Sequence, residues 1–326
     1  MALTFNIEST EQLALEEYVY YVKDNVDLLD QDSIASSAPK FRALLNNRKL
    51  ITDVLNRELQ DWGTFQQGNS YTAQTFMLGL APGFFLRVNI WTPLSKIPEV
   101  RAAESQNAYY TIPHDHNFTF MTGGYIGSGY RTRIWEYDQT KVAGVRGESV
   151  DLRFLEDTSL PVGKVMLYRK SLDVHSQEHA DEFSASLNLM VIPDETVTNR
   201  ANQLIFDANK GIVTSTMSSS AGRVMVCDLA RYVGNSETAG LLDSLSTKHP
   251  DSRVRGSCIR SLVNMHPEAS EAIFERASRD SHAFVRLLGT QGLETGQFAE
   301  ASYARGAPDS HATRDSGPGT ANFERV

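Results

Sequence analysis

Short apolar runs separated by turn residues fill the middle of the chain, and this pattern constrains the fold more than any other feature of the sequence. The runs are rich in aromatic and β-branched side chains, which are typical of strands. Strands are predicted at Thr75–Leu80, Phe84–Trp91, Asn117–Thr122, Arg131–Tyr137, Ser149–Leu155, Lys164–Tyr168 and Ala185–Ile192. So many short strands with tight turns favour a small antiparallel barrel or jelly roll.

Helical patterns flank this region on both sides. Residues 10–29 and 41–62 carry apolar stripes at helical spacing and are predicted to pack outside the barrel. The polar residues 93–106 are predicted to be a loop near the barrel mouth. The whole chain is therefore predicted as an α+β fold with N-terminal helices in 1–68, a β-barrel in 69–196, a helical region in 197–296 and a disordered tail in 297–326.

Two similar segments occur in the helical region. Val254-Arg255 and Val285-Arg286 each follow an Asp-Ser pair that can cap a helix. Together with neighbouring helical patterns they resemble helical repeats of the HEAT type, over roughly residues 214–293. The resemblance implies a surface through which a homo-oligomer or a protein partner binds. The alternative is a helical buttress on the barrel.

Charge and composition exclude several classes of protein. The net charge is −9, which argues against a nucleic-acid-binding surface or an anionic membrane surface. No apolar run reaches the length of a membrane span, and no secretory signal is visible. The chain has two cysteines, which we expect to be buried free thiols in the reducing cytoplasm.

A pair of histidines marks the candidate site. His114 and His116 stand two residues apart beside a predicted strand, so their side chains point to the same face and can bind one metal ion. A third ligand is expected at His175, which follows an alternating segment, with His179 as its rival. The alternative is that His114 and His116 are surface histidines on a strand edge.

This motif resembles that of the cupin family, in which a His-x-His pair and a later histidine bind a metal inside a β-barrel. Cupins usually add a glutamate soon after the pair, but Phe120 and Met121 occupy those places here. The sequence is similar in this respect to three-histidine thiol dioxygenases of the cysteine dioxygenase type. Further local matches are the strand around Arg87, Ile134–Asp138, Leu172–His175 and Ser186–Met190, although Asn188 and Met190 replace the histidine and tyrosine of the family's second motif.

The resemblance implies a non-heme Fe(II) dioxygenase that acts with O2 on a small amino-acid-like or carboxylate-bearing molecule. His114, His116 and His175 would bind the iron, and Arg87 would anchor the substrate carboxylate. No nucleic acid and no membrane is expected as a partner. Two other classes stay open, namely a non-oxidative metal-dependent cupin (a lyase or isomerase) and a non-catalytic cupin binding module.

Three residues outside the histidines are candidates for catalysis. Arg87 alternates with Leu86 and Val88, so it faces the barrel interior if those two face the outer helices. Glu136 is a candidate fourth ligand or general base, and a surface acid at a strand end is the alternative. Tyr125 is a candidate for orienting substrate or O2, and aromatic packing is the alternative.

Overall fold

Two groups of antiparallel strands form the centre of the molecule. The computed structural model describes residues 3–60, 63, 66, 69, 74–106, 111–192, 202–217 and 220–296. Its strands are β1 (Leu3–Phe5), β2 (Thr75–Ala81), β3 (Phe84–Trp91), β4 (Phe120–Ile126), β5 (Arg131–Glu136), β6 (Arg153–Ser159), β7 (Val165–Tyr168), β8 (Asp173–Gln177), β9 (Ser184–Val191), β10 (Gln203–Asp207) and β11 (Ile212–Met217).

Helices lie before, between and after the strands. They are α1 (Leu15–Asn25), α2 (Gln31–Ser36), α3 (Ala38–Asn46), α4 (Leu50–Gln60), α5 (Pro98–Gln106), α6 (Ala221–Val233), α7 (Ser236–Lys248), α8 (Ser252–Met265), α9 (Ser270–Ala277) and α10 (Ala283–Thr295). None of these helices combines the length and the hydropathy that a membrane span requires.

The larger sheet has six strands in the order β1-β7-β4-β9-β3-β2. Its outer face packs against the N-terminal helices, and Leu86 and Val88 of β3 share one hydrophobic core with Phe41 and Leu44 of α3. The condition set for the orientation of Arg87, that Leu86 and Val88 face the N-terminal helices, is therefore met. Arg87, which alternates with these residues, therefore lies on the inward face of the sheet.

The smaller sheet is assembled around the histidine motif. β6, β5 and β8 form a three-stranded sheet, and β10 pairs with β11. His114 joins the two, because it forms one bridge with His175 of β8 and another with Ile205 of β10. Trp91 and Phe120 of the larger sheet share a core with Ile134 of β5, so the two sheets face each other. Among the described residues no strand ladder joins them, and a closed barrel stays a prediction.

The C-terminal helices surround α8, which is buried along most of its length and contacts α6, α7, α9 and α10. Arg255 donates hydrogen bonds to the carbonyl groups of His249 and Pro250. Arg286 makes the equivalent bonds to Asp280 and Ser281. The two similar segments therefore have the same local structure, while their assignment to the HEAT type stays a prediction. The two cysteines are free and buried, as predicted.

Several segments differ from the prediction, and the predicted strand Ser149–Leu155 is one of them, because β6 covers Arg153–Ser159. Residues 203–217, predicted as helical, form the β10–β11 hairpin. Residues 98–106, predicted as a loop, form α5, which begins at a proline as many helices do. The predicted helix 41–62 is interrupted at Asn47, whose side chain accepts a hydrogen bond from the backbone of Lys49 and donates one to the carbonyl of Leu13. The predicted disordered tail, 297–326, lies outside the described residues.

Candidate metal centre

Three histidines converge between the two sheets. His114 and His116 lie in the extended segment before β4, and His175 is the central residue of β8. One ring nitrogen from each lies within 4.8 Å of the others, and Nε2 of His116 is 3.1 Å from Nε2 of His175. The structure therefore brings together the three histidines that were predicted as ligands. The rival, His179, lies apart from them, near Thr92 and Glu104.

The spacing of these nitrogens fits a shared metal ion. Two imidazole nitrogens that bind one ion at about 2.1 Å, at a right angle to each other, lie about 3.0 Å apart. His114 Nδ1 lies 2.7 Å from the carbonyl oxygen of Ile112, which only accepts, so Nδ1 donates and Nε2 carries the free lone pair. Nδ1 of His175 is buried and has no hydrogen-bond partner among the described residues, which leaves its Nε2 as the nitrogen that faces the cluster.

The three imidazoles are held in the neutral form that binds metals. Burial lowers the pKa of His114 and lowers the pKa values of His116 and His175 well below the ordinary range. For His116, the neighbouring histidines and the positive charge of Arg87 lower the pKa further. Neutral imidazole is a good ligand for iron, zinc, copper and nickel. No carboxylate belongs to this cluster among the described residues, in keeping with Phe120 and Met121 at the places of the usual glutamate.

Aromatic rings enclose the cluster on one side. The ring centroids of Phe118 and Phe120 lie 4.7 and 5.1 Å from that of His116. Tyr168 packs against His175 at 4.4 Å and stacks on Phe120 at 4.7 Å. These contacts restrict rotation of the imidazoles and cover this side of the site with apolar rings.

The wall that faces the histidines is polar and carries a positive charge. Arg87 lies opposite Asn188 in the β3–β9 register, and its charge acts on both His116 and Tyr130 by lowering their pKa values. Thr122 donates a hydrogen bond of 2.8 Å to Asn188 in the same wall. The strands β3, β4 and β9 contain no acidic residue.

Tyr125 is not brought to the histidines. It lies on the outer face of the six-stranded sheet, where its hydroxyl donates a hydrogen bond of 2.7 Å to the carbonyl of Asn47. The reason is strand alternation, because Thr122 faces inward and Tyr125 stands an odd number of positions away. Aromatic packing is therefore the reading that fits Tyr125. The tyrosines that share the inner core are Tyr130 and Tyr168.

Glu136 also lies away from the histidine cluster. It ends β5, where it forms ion pairs with Arg153 and, at 3.1 Å, with Arg169. These guanidinium groups, Arg153 above all, lower the pKa of the Glu136 carboxyl to about 2. A carboxylate that is held in its charged form this strongly is a weak base. A catalytic role for Glu136 stays a prediction, and its placement favours a structural one.

Two residues that support the site were missed by the sequence analysis. Asp115, between the two histidines, is fully buried and accepts hydrogen bonds from Tyr137 Oη at 2.7 Å and from the backbone of Leu204 at 2.5 Å. Burial raises its pKa to about 7. Gln203, next to Leu204, places its amide nitrogen 2.7 Å from His116 Nδ1. Asp115 therefore fixes β10 against the motif, and β10 in turn supplies a partner for a ligand.

Comparison with known proteins adds little to this description. No protein-family model and no curated protein matches the sequence. Among solved structures, the chain is similar to hydroquinone 1,2-dioxygenase PnpCD in complex with Cd2+ and 4-hydroxybenzonitrile (13% identity, 38% of this chain and 68% of the other, TM-score 0.26). It is also similar to a salicylate 1,2-dioxygenase from Pseudaminobacter salicylatoxidans (8% identity, 48% of this chain and 37% of the other, TM-score 0.26). A third similar structure is RmlC from Streptococcus suis (9% identity, 41% of this chain and 54% of the other, TM-score 0.21). At such TM-scores these likenesses carry no weight for function, which rests on the residues of the site.

Proposed function

We propose that this protein is a cupin-type non-heme Fe(II) oxygenase that uses O2 to oxidise a small amino-acid-like or carboxylate-bearing substrate. The observation that carries the proposal is the convergence of three neutral imidazoles, without a carboxylate, opposite a wall that holds Arg87. His114, His116 and His175 would hold the iron. Iron itself is proposed from the family resemblance, since the same three nitrogens also suit zinc, copper and nickel.

The charge balance of the site favours an anionic substrate. Three neutral ligands leave the double positive charge of a divalent ion uncompensated, and Arg87 adds another positive charge nearby. Buried charges of one sign are costly unless an opposite charge joins them. A substrate carboxylate would balance the charge of the ion, and the planar guanidinium of Arg87 can bind it through two hydrogen bonds.

Each group then has a distinct part in the reaction. Bound iron(II) would supply the electrons that O2 requires and open positions for substrate. Arg87 orients the substrate, and the rings of Phe118 and Phe120 exclude water beside His116. Tyr130 belongs to the inner core and lies close enough to Arg87 to feel its charge, so its phenol can donate a hydrogen bond to a substrate held near Arg87. We therefore propose Tyr130, in place of Tyr125, as the tyrosine that contacts substrate.

Metal loading and oxygen consumption test the proposal. The purified chain is stripped of metal, reloaded with Fe(II) without oxygen, and its metal content is measured. We expect about one equivalent per chain, as a single site of three histidines implies. His116→Ala should abolish most of this binding. His179→Ala is the matched control and should bind iron like the wild type, because His179 lies outside the cluster.

The loaded protein is then mixed with a panel of amino acids and small carboxylates in an oxygen electrode. Uptake of O2 that depends on one of them, and is absent in His116→Ala, supports an oxygenase. Turnover without O2 uptake would instead assign a lyase or isomerase. If the wild-type protein binds no metal, the remaining alternative is a non-catalytic binding module.

A further inference from the structure

Helix α6 is apolar on two sides, and the described residues cover only one of them. Val224 and Cys227 pack into the core that α6 shares with α8. On the other side lies an exposed stripe, formed by Met225 (65% exposed), Val226 (68%), Leu229 (56%), Tyr232 (73%) and Val233 (73%). A helix of a globular protein normally keeps that second side polar.

The stripe itself contains no charged residue, but at its end the guanidinium of Arg231 lies over the ring of Tyr232, 4.8 Å from the ring centroid. The acidic residue of α6, Asp228, lies off the stripe and is directed toward α8, where it accepts a hydrogen bond of 3.0 Å from Ser257 and lies 3.8 Å from the guanidinium of Arg260. The five large side chains of the stripe expose on the order of 600 Å2, which lies at the upper end of the largest apolar patch on a typical monomer and below the ~800 Å2 per partner of a standard interface.

The two ends of the stripe are complementary in shape. At its start, Gly222 has open space above it, since a Cβ added there would meet no atom of the described part of the chain within 4 Å. At its end stand the bulky side chains of Tyr232 and Val233. Two α6 helices that run antiparallel about a two-fold axis would place the bulky end of each over the glycine of the other. The same arrangement sets Val226 of one copy against Leu229 of the other.

We propose that α6 is the contact between two copies of this chain, paired antiparallel through the stripe from Gly222 to Val233. The partner is a second copy because the two ends of the stripe complement each other. A two-fold contact requires one surface that is complementary to itself in this way. The proposal is independent of the metal centre, since the stripe shares no residue with it.

The mass of the full-length protein in solution tests the contact. Light scattering should give twice the 36.2 kDa of one chain. Leu229→Arg buries a charge against the partner's stripe and should weaken association by roughly tenfold or more. The matched control is Leu80→Arg, because Leu80 is an exposed leucine on β2 (76% exposed) and its variant should remain a dimer.

A second variant separates association from folding. Gly222→Leu should favour the helix, because leucine has the higher helix propensity and meets open space in the single chain. It should nevertheless weaken the dimer, since it fills the space that the partner's Val233 occupies. A monomeric wild type would overturn the proposal, and so would a dimer that Leu229→Arg leaves intact. If the full chain is monomeric and a chain ending at Gly296 dimerises, the stripe belongs to the tail instead.

Discussion

The amide nitrogen of Gln203 lies 2.7 Å from Nδ1 of His116, so a residue of β10 controls which nitrogen of this histidine carries the proton. A histidine that binds metal through Nε2 is protonated on Nδ1 and needs an acceptor there. The side-chain amide of Gln203 provides one when it turns its oxygen toward the ring. In the structure the amide nitrogen is the atom that faces both Nδ1 and, at 3.4 Å, the carbonyl oxygen of Asp115, so turning the amide gives up the second contact and provides the acceptor that a metal-bound ring needs.

Gln203→Leu should therefore weaken metal binding by about 10- to 100-fold, as is usual for the loss of a hydrogen-bond partner of a ligand. The dissociation constant for Fe(II) or Zn(II) is measured by competition with a chelator. Asn209→Leu, in the exposed turn of the same hairpin, is the control and should leave the constant unchanged. If Gln203→Leu and the wild type bind the metal with equal affinity, Gln203 does not support His116 as a ligand.

Arg87→Lys should raise the substrate concentration needed for half-maximal rate by roughly tenfold to a hundredfold, because lysine cannot make the planar two-point contact with a carboxylate. Metal content and melting temperature should not change. Arg133→Lys, on the outer side of β5 where Arg133 pairs with Glu178 at 3.0 Å, serves as the control. A variant that unfolds, or one with unaltered substrate dependence, would make Arg87 a structural residue.

The ion pairs of Glu136 should give the fold a defined response to acid. Its pKa falls from the ordinary 4.5 to about 2 in the folded chain, so the stabilisation is complete above pH 4.5. It is lost as the pH falls from 4.5 toward 2, because the unfolded chain takes up the proton first. Glu136→Gln should therefore be less stable than wild type at neutral pH, and the difference should shrink across this range in thermal melts.

The same variant tests the predicted catalytic role of Glu136. Its placement beside Arg153 and Arg169 leads us to expect unchanged metal content and, at a temperature where both proteins are folded, unchanged turnover. A Glu136→Gln protein that is folded and loaded with metal but inactive would restore Glu136 as the general base.

Removal of residues 297–326 should leave folding intact. This segment is rich in glycine, serine, alanine and aspartate and holds few large apolar side chains, so it cannot offset the entropy lost on ordering. A chain that ends at Gly296 should melt at the same temperature as the full chain. A drop of several degrees would mean that the tail packs on the folded part.

The sequence alone predicted the parts of the site that depend on local spacing. His114 and His116 were predicted to share a face, and alternation correctly put Arg87 opposite Leu86 and Val88. Tyr125 was misplaced because the sequence does not say on which face of the sheet a tyrosine near a glycine-rich turn will lie. Here alternation from Thr122 places it outside, beside Asn47.

The parts of the site that the sequence did not predict depend on contacts between residues that are far apart in the chain. β10 and β11 are short strands next to long helical patterns, so their periodicity gave no clear signal. Their place is set by Asp115, which accepts from the backbone of Leu204 across 89 positions. Gln203 could not be linked to His116 for the same reason. An acidic residue between two predicted ligands was the hint in the sequence that another segment approaches there, because a buried acid needs hydrogen-bond donors.

His114 and His175 exchange both of their backbone hydrogen bonds, at 3.0 and 2.9 Å. Two of the three ligands are thus aligned by the protein backbone before any ion arrives. The entropy of bringing them together is lost during folding and not during metal uptake, unlike in zinc fingers, where the ion itself organises the chain. Metal-free protein should consequently have the same far-ultraviolet circular dichroism as the loaded form. Calorimetry of metal binding should show almost no change in heat capacity.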